Sequence, residues 1–303
     1  DEYIFCETKG KSGKDPFLVS QKLNSEKYSG GALAVAKTIS SLTRSVDVFT
    51  YIGEKKEHLD FIKSNLSQNM NLNYVLKKDC PTIHKVRYVD AYTNSKTYGV
   101  YELNDRKLSP EEEQEIINII SPKLKEYDLV ILVDYGHGLI SKNVVDFLNQ
   151  KANFLCINSQ SNSFNQGYYL LNKFKSVNYI SIHEGELRQF FRDRESDISL
   201  LIEELSKILE TENIMVTQGK EGLTLLYDGF LTKSPAFASK IIDRVGSGDT
   251  ILGISSLCLF KNHPPEFTAL FASLMAANTI ASSGTGHDLN KINAIKHMQT
   301  TLK

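Results

Sequence analysis

The feature that most limits what this chain can fold into is its repeated alternation of apolar, β-branched runs with helix-patterned stretches. DLVILVDYG, from Asp128, is an apolar run suited to a strand buried on both faces of a parallel sheet. KNVVDFLNQ then reads as helix, FLCIN as strand, VNYISIH as strand, and GELRQFF and ISLLIEELSKIL as helices. NIMVTQG and LTLLYDG read as further strands. Upstream, a helix is expected from Gly31 through Leu42, with apolar positions at Leu33, Val35, Ala36, Ile39 and Leu42, followed by the strand SVDVFTYIG. Another helix is expected from Pro110 to Ile120. Alternation of this kind predicts an α/β fold, a doubly wound, mostly parallel sheet flanked by helices, with ligands at the carboxyl ends of the strands.

One segment breaks the pattern. Thr82 to Asn104 is rich in β-branched and aromatic residues around a polar turn at Thr93 to Lys96, and reads as an inserted β-hairpin. YIFCE and PFLVS, either side of the loop from Lys9 to Lys14, have the same character. The two pieces, about 2–22 and 82–104, are expected to form a small β lid over one edge of a single domain spanning 1–303; the other reading is that they extend the main sheet. No repeat or linker divides the chain.

The most chemically loaded stretch is DRVGSGDTILG, Asp243 to Gly253. Unpaired amides at a helix start carry partial positive charge and bind anions, and a carboxylate among them can take a proton from a hydroxyl. That combination is the equipment of phosphoryl transfer. The plain alternative is that Asp249 only caps a helix after a glycine turn.

Composition excludes other classes. A formal net charge of −1 gives no field for nucleic acid or an anionic membrane. No apolar run nears the ~20 residues of a membrane span, and the opening residues do not have signal-peptide form. The four cysteines, Cys6, Cys80, Cys156 and Cys258, stand far apart in apolar surroundings, as expected of reduced thiols in a cytoplasmic protein.

Three stretches in order, SGGALAVAKTISSL (29–42), VTQGKEGLTLL (216–226) and DRVGSGDT (243–250), resemble the signatures of the PfkB (ribokinase-like) carbohydrate kinases. DEY at Asp1, TIHKVRYV at Thr82, LVDYGHGLIS at Leu132 and AANTIASSGTG at Ala276 resemble in particular the kinase domain of bifunctional heptose 7-phosphate kinase/nucleotidyltransferase proteins. The resemblance implies an ATP-dependent, Mg²⁺-requiring sugar kinase. Asp249 would be the base, with Gly246, Ser247 and Gly248 supplying amides to the transferred phosphoryl group. Glu186 falls on the glutamate of an N-x-x-E motif and would organise Mg²⁺ through water. Thr217, Gly219 and Gly222 would form the nucleotide-side turn, and Asn278, Gly284 and Thr285 would lie near the adenine.

On the acceptor side, the resemblance gives Asp1 to sugar hydroxyls, with Gly30 and Gly31 allowing close approach. Lys85 and Arg87 are two apart in an expected strand and so share a face, suited to a phosphate already on the substrate; the alternative is a solvated strand face. Asp134 and His137 stand where a strand becomes a loop, Asp134 as a substrate contact and His137 as a loop residue. INSQSNSFNQG (157–167) reads either as a phosphate contact or as a polar loop. Three positions depart from the family pattern: Ala34 replaces a sugar-binding asparagine, His183 the asparagine of N-x-x-E, and Arg244 a threonine. An apolar strand is expected ahead of Asp1. The resemblance also implies a homodimer through the lid and a fused nucleotidyltransferase domain outside these residues. Other readings are a kinase for an unphosphorylated sugar or a nucleoside, and a catalytically idle sugar- or nucleotide-binding domain.

Overall fold

Residues 1–166, 168, 171–238, 240–281 and 291–301 are described by the structure, a computed structural model. Its main sheet carries the apolar runs. β7 (Val130–Asp134), β8 (Leu155–Ser159), β9 (Tyr179–His183) and β10 (Ile214–Thr217) are parallel neighbours. β11 (Leu223–Tyr227) and β12 (Phe230–Ser234) continue the sheet antiparallel, giving the order β12-β11-β10-β9-β8-β7.

Strand alternation feeds two cores. Ile157, Ile180 and Val216 join Leu201, Ile202 and Leu205 of α6 (Ile198–Leu209) on one face. Their neighbours Cys156, Tyr179 and Met215 join the other face, against α7 (Ser247–Phe260) and α8 (Pro265–Ile280). Tyr179 keeps its hydroxyl satisfied there, 2.6 Å from Ser255 Oγ. Burial pushes the Cys156 and Cys258 thiols up to about 12, so both stay protonated and unreactive at neutral pH.

The remaining helices are α1 (Ala32–Ser40), α2 (Leu59–Ser64), α3 (Pro110–Ile120), α4 (Lys142–Lys151), α5 (Glu184–Phe191) and α9 (Lys291–Thr301). The start of α3 shows why its sequence is helical. Ser109 and Glu112 form a reciprocal capping box ahead of three glutamates, with Pro110 in the first turn. Arg106 grips Glu112 with two bonds of 2.8 Å and holds that carboxyl down at about 2.

β3 (Val46–Gly53) and β4 (Met70–Lys77) form a separate parallel pair. This pair and β7 both line a cavity of about 2060 Å³, through Val48 and Ile131, and Asp1 lines it too. Among the described residues, no strand bonds to both β3 and β7. A further sheet lies apart from these, in the order β2-β1-β5-β6. Its strands are β1 (Glu2–Lys11), β2 (Leu18–Lys27), β5 (His84–Asp90) and β6 (Lys96–Glu102). β2 runs to Lys27, five residues past the lid boundary read from sequence, because β1 supplies ladder partners as far as Glu2↔Lys27 to a polar, exposed strand.

Lys77, fully buried at the end of β4, ties the layers together. Its ammonium donates to Asn104 O at 2.8 Å and His137 O at 3.1 Å and lies over the Tyr51 ring. Truncation would leave two carbonyls without a donor in a dry site. Lys77→Ala should therefore cost about 2–4 kcal/mol, read as a lower urea midpoint at unchanged slope. An unshifted midpoint would show that water replaces the ammonium.

Candidate active site

The DRVGSGDT stretch builds the start of α7. Gly246 sits at φ 86°, a left-handed conformation that a side chain would strain. The first intrahelical bond runs from Thr250 N to Gly246 O, so the amides of Ser247, Gly248 and Asp249 head the helix without an intrahelical partner. Space over Gly248 is open, since an added Cβ would meet nothing within 4 Å. Asp243 shapes the turn: its buried Oδ1 accepts from Val245 N at 2.9 Å and from Lys96 Nζ of β6 at 2.5 Å.

Asp249 is half-buried by its neighbours and lines the cavity. Burial raises its carboxyl to about 6; the Tyr135 hydroxyl, donating at 2.7 Å to Oδ1, and the nearby Lys85 ammonium pull the other way. Burial also lowers Lys85 to about 8, and Arg87 adds to the effect. Lys85 Nζ stands 3.0 Å from His137 Nε2, whose Nδ1 is 2.7 Å from Asp105 Oδ1. Burial, then Lys85, holds that imidazole below its ordinary pKa.

The acceptor-side candidates meet at the same cavity. Arg87 Nη1 donates to Asp1 Oδ1 at 2.5 Å, and Lys85 and Arg87 both approach the Tyr101 ring, at 5.7 and 5.6 Å. Gly30 is held to glycine by Asp1, because an added Cβ would lie 2.1 Å from Asp1 Oδ2. Gly31 packs against the Tyr135 ring. Asp134 borders the cavity, but its buried carboxylate accepts from Gly136 N at 2.9 Å and from Lys173 Nζ, contacts that hold the loop after β7.

Across the cavity, Thr217 ends β10, and Gly219 and Gly222 flank the tight turn into β11. Glu186 is buried in the first turn of α5, and burial raises its carboxyl to about 7. One oxygen accepts from Ser161 N at 2.8 Å and the other from His183 N at 2.7 Å. Both being engaged, Glu186 fits a role toward Mg²⁺ through water rather than direct ligation. His183 in place of asparagine has a structural reading: its Nδ1 caps α5 by accepting from Gly185 N at 3.0 Å. Asn278 lies in the last turn of α8 and is not among the cavity residues; Gly284 and Thr285 lie outside the described residues.

Three residues at the site were not singled out as candidates from the sequence: Tyr135, Asp105 and Lys96. Tyr135 stands inside DYGHG, beside residues that sequence reading singled out, and only its contact with a residue 114 positions away reveals it. His137, read as a loop residue, is buried between Lys85 and Asp105. The serine- and asparagine-rich stretch is knitted into the protein through 166: Asn162 Nδ2 donates to Tyr135 O at 2.7 Å, and Ser161 reaches Glu186 and Gln189.

A carboxyl raised by burial is stabilising only while protonated. Asp249 favours the folded state below its ordinary value near 4, and that contribution is lost as pH rises through about 6. Above pH 6 the protein carries a charged carboxylate partly stripped of water. Asp249→Asn keeps an acceptor for Tyr135 and removes the charge, so at pH 8 it should gain about 1–3 kcal/mol after allowance for water in the cavity. Thermal unfolding of both proteins at pH 5 and pH 8 checks this. The gain should shrink toward pH 5, and a destabilised variant at pH 8 would contradict it.

The chain is 24% identical over 287 residues to the bifunctional protein HldE of a Nitratiruptor species and 26% identical over 291 residues to that of Wolinella succinogenes. Each alignment takes in 94% of this chain and 60% of the relative, so the chain spans about 60% of their length. Ribokinase from Thermotoga maritima superposes with a TM-score of 0.76 at 16% identity, covering 99% of this chain and 96% of that one. Phosphofructokinase-2 from Escherichia coli in complex with potassium superposes with a TM-score of 0.76 at 13% identity, covering 100% and 97%. These two likenesses establish the fold. The description "pfkB family carbohydrate kinase" fits residues 12–292, nearly the whole chain, which therefore belongs to that family and is a phosphotransferase acting on a sugar hydroxyl.

Proposed function

We propose that the protein transfers the γ-phosphoryl group of ATP to a sugar phosphate, with heptose 7-phosphate, phosphorylated at its anomeric hydroxyl, as the specific acceptor. The observation that carries the reading is the pairing of Lys85 and Arg87 on the lid wall of the cavity that also holds Asp249. Two cations there suit a phosphate at one end of the acceptor while the other end meets the carboxylate. Sequence likeness to heptose kinase domains, and similarity to bifunctional HldE proteins, support the same choice.

In this reading Asp249 takes the proton of the acceptor hydroxyl as its oxygen attacks the γ-phosphorus, and ADP leaves. The amides of Ser247 and Gly248 stabilise the equatorial oxygens as charge builds on them. Tyr135 orients Asp249, and burial holds it protonated so that it remains a donor. Glu186 would hold Mg²⁺ through water, and the ion would supply positive charge against the nucleotide phosphates. Thr217, Gly219 and Gly222 form the nucleotide side. A surface-polysaccharide role, a cytoplasmic location and a fused nucleotidyltransferase domain accompany the heptose reading. Among the described residues no helix is long and apolar enough to cross a membrane. Leu18, Leu23, Tyr98 and Val100, exposed on the lid, are the surface on which a homodimer would form.

A second reading, an unphosphorylated acceptor, draws on the partners these cations already have, His137 for Lys85 and Asp1 for Arg87. The idle-domain reading has less support: Ala34 is buried in α1, but the turn and Asp249 are complete.

ADP release across a panel of sugars and sugar phosphates separates these readings. Asp249→Asn should lower kcat by about 10²–10⁴. For the wild type, kcat/KM should fall about tenfold per pH unit below about 6, because the base works only when deprotonated. A fully active variant would remove Asp249 from the chemistry. Lys85→Ala with Arg87→Ala should weaken apparent affinity for the phosphorylated acceptor by about 100-fold while ATP affinity holds. Equal losses for phosphorylated and plain sugars would favour the second reading.

A further inference from the structure

A second cluster of ligand-bearing side chains lies where the lid meets the core, with His58 and His84 on the wall of the same cavity. His58 comes from the core, immediately before α2, and sits at φ 63°, a left-handed conformation uncommon for a side chain of its size. His84 opens β5, and Glu102, at the end of β6, is its cross-strand partner. The His58 and His84 rings are 4.5 Å apart between centroids, and one ligand atom from each of His58, His84 and Glu102 lies within 4.8 Å of the other two. His84 Nδ1 is 3.6 Å from Glu102 Oε2, the spacing of two ligands on a tetrahedral zinc ion, about 3.3–3.6 Å for bonds of about 2.0–2.2 Å.

The other nitrogen of His84 completes the argument. Nε2 stands 3.1 Å from Glu2 Oε2 of β1, so that carboxylate can accept its N–H and leave the Nδ1 lone pair directed at Glu102. Lys27 lies 3.6 Å from the same oxygen and balances its charge. Two imidazoles and one carboxylate form a borderline donor set that suits zinc-like ions and poorly suits Mg²⁺. His84 alternates with Lys85 along β5, so it faces away from the Lys85–His137 contact.

We propose that His58, His84 and Glu102 bind one divalent transition ion of the zinc class, with Glu2 positioning His84, and that the ion fastens the lid sheet to the core at the start of α2. The site asks nothing of the phosphoryl-transfer reading and stands or falls separately from it.

Chelator-stripped protein, titrated with Zn²⁺ against a chromophoric competitor at pH 7.5, tests the assignment. One equivalent should bind tightly. Glu102→Gln and Glu2→Gln should each weaken it about 10-fold, and His58→Gln with His84→Gln more than about 100-fold. Glu102 is exposed, so its variant folds as the wild type does and keeps the test sound if the histidine variants fold poorly. Zn²⁺ should also raise the melting temperature of the wild type, and much less that of Glu102→Gln. Unchanged affinity in Glu102→Gln and in the double histidine variant would overturn the proposal, as would displacement of the ion by millimolar Mg²⁺.

Discussion

Asp243 is the point on which the three parts of the site depend. Its carboxylate accepts from the Val245 amide in the turn before α7 and from the Lys96 ammonium of β6, while its own amide and that of Ile242 bond to Ile280 O at the end of α8. Lys96 is 147 residues away in sequence and lies over the buried ring of Tyr3 in β1. Drawing the lid outward would strand a buried carboxylate without its cation, a costly state. The turn at α7 and the lid are thus joined by one ion pair, and the helix they act on has nowhere to move. Thr250 through Ser256 are all buried against the sheet and its neighbours. A rigid helix start fixes the direction in which its free amides point.

The electrostatics of the cavity follow from the same rigidity. Asp249, Lys85 and Glu186 are all shifted by burial in the direction that disfavours charge, and none is relieved by a close, fully buried counter-ion. Asp249 gets a phenol, Lys85 a ring nitrogen, and Glu186 two backbone amides. Partners of that kind orient a charge without neutralising it, so the cavity holds groups whose charge is available to a ligand.

Much of this was legible in the sequence, and the exceptions have physical causes. The strands around Ile131, Ile157, Ile180 and Val216 announce themselves because both of their faces are buried, which requires continuous apolar runs. The glycine turn before α7 is equally local: glycines and a carboxylate at fixed spacing need no distant partner to be seen. β12 was not legible, being a short, polar strand held by its ladder with β11. β2 was read only in part for the same reason: its polar residues beyond Lys22 pair through backbone and carry no pattern. Tyr135, Asp105 and Lys96 were hidden more deeply, because each acts through a residue between 32 and 147 positions away. Glu186 was found from its motif, but not the capping geometry that occupies both its oxygens.

The two cations proposed for the acceptor's phosphate are not equivalent, and the difference bears on how such a group would be received. Arg87 is locked to Asp1, both partly buried and 2.5 Å apart, so an arriving anion that took the guanidinium outright would leave Asp1 unpaired beside Gly30. Lys85 has only a neutral-leaning imidazole to lose, and its own charge is disfavoured by burial and by Arg87. A dianion placed between them would restore the Lys85 charge, release His137 to Asp105, and share the outer edge of Arg87 while Asp1 keeps the inner one. Lys85 would then supply most of the affinity for the phosphate, and Arg87 its orientation. Arg87 would also keep Asp1 aimed at the sugar, joining recognition of the two ends of the acceptor through a single guanidinium.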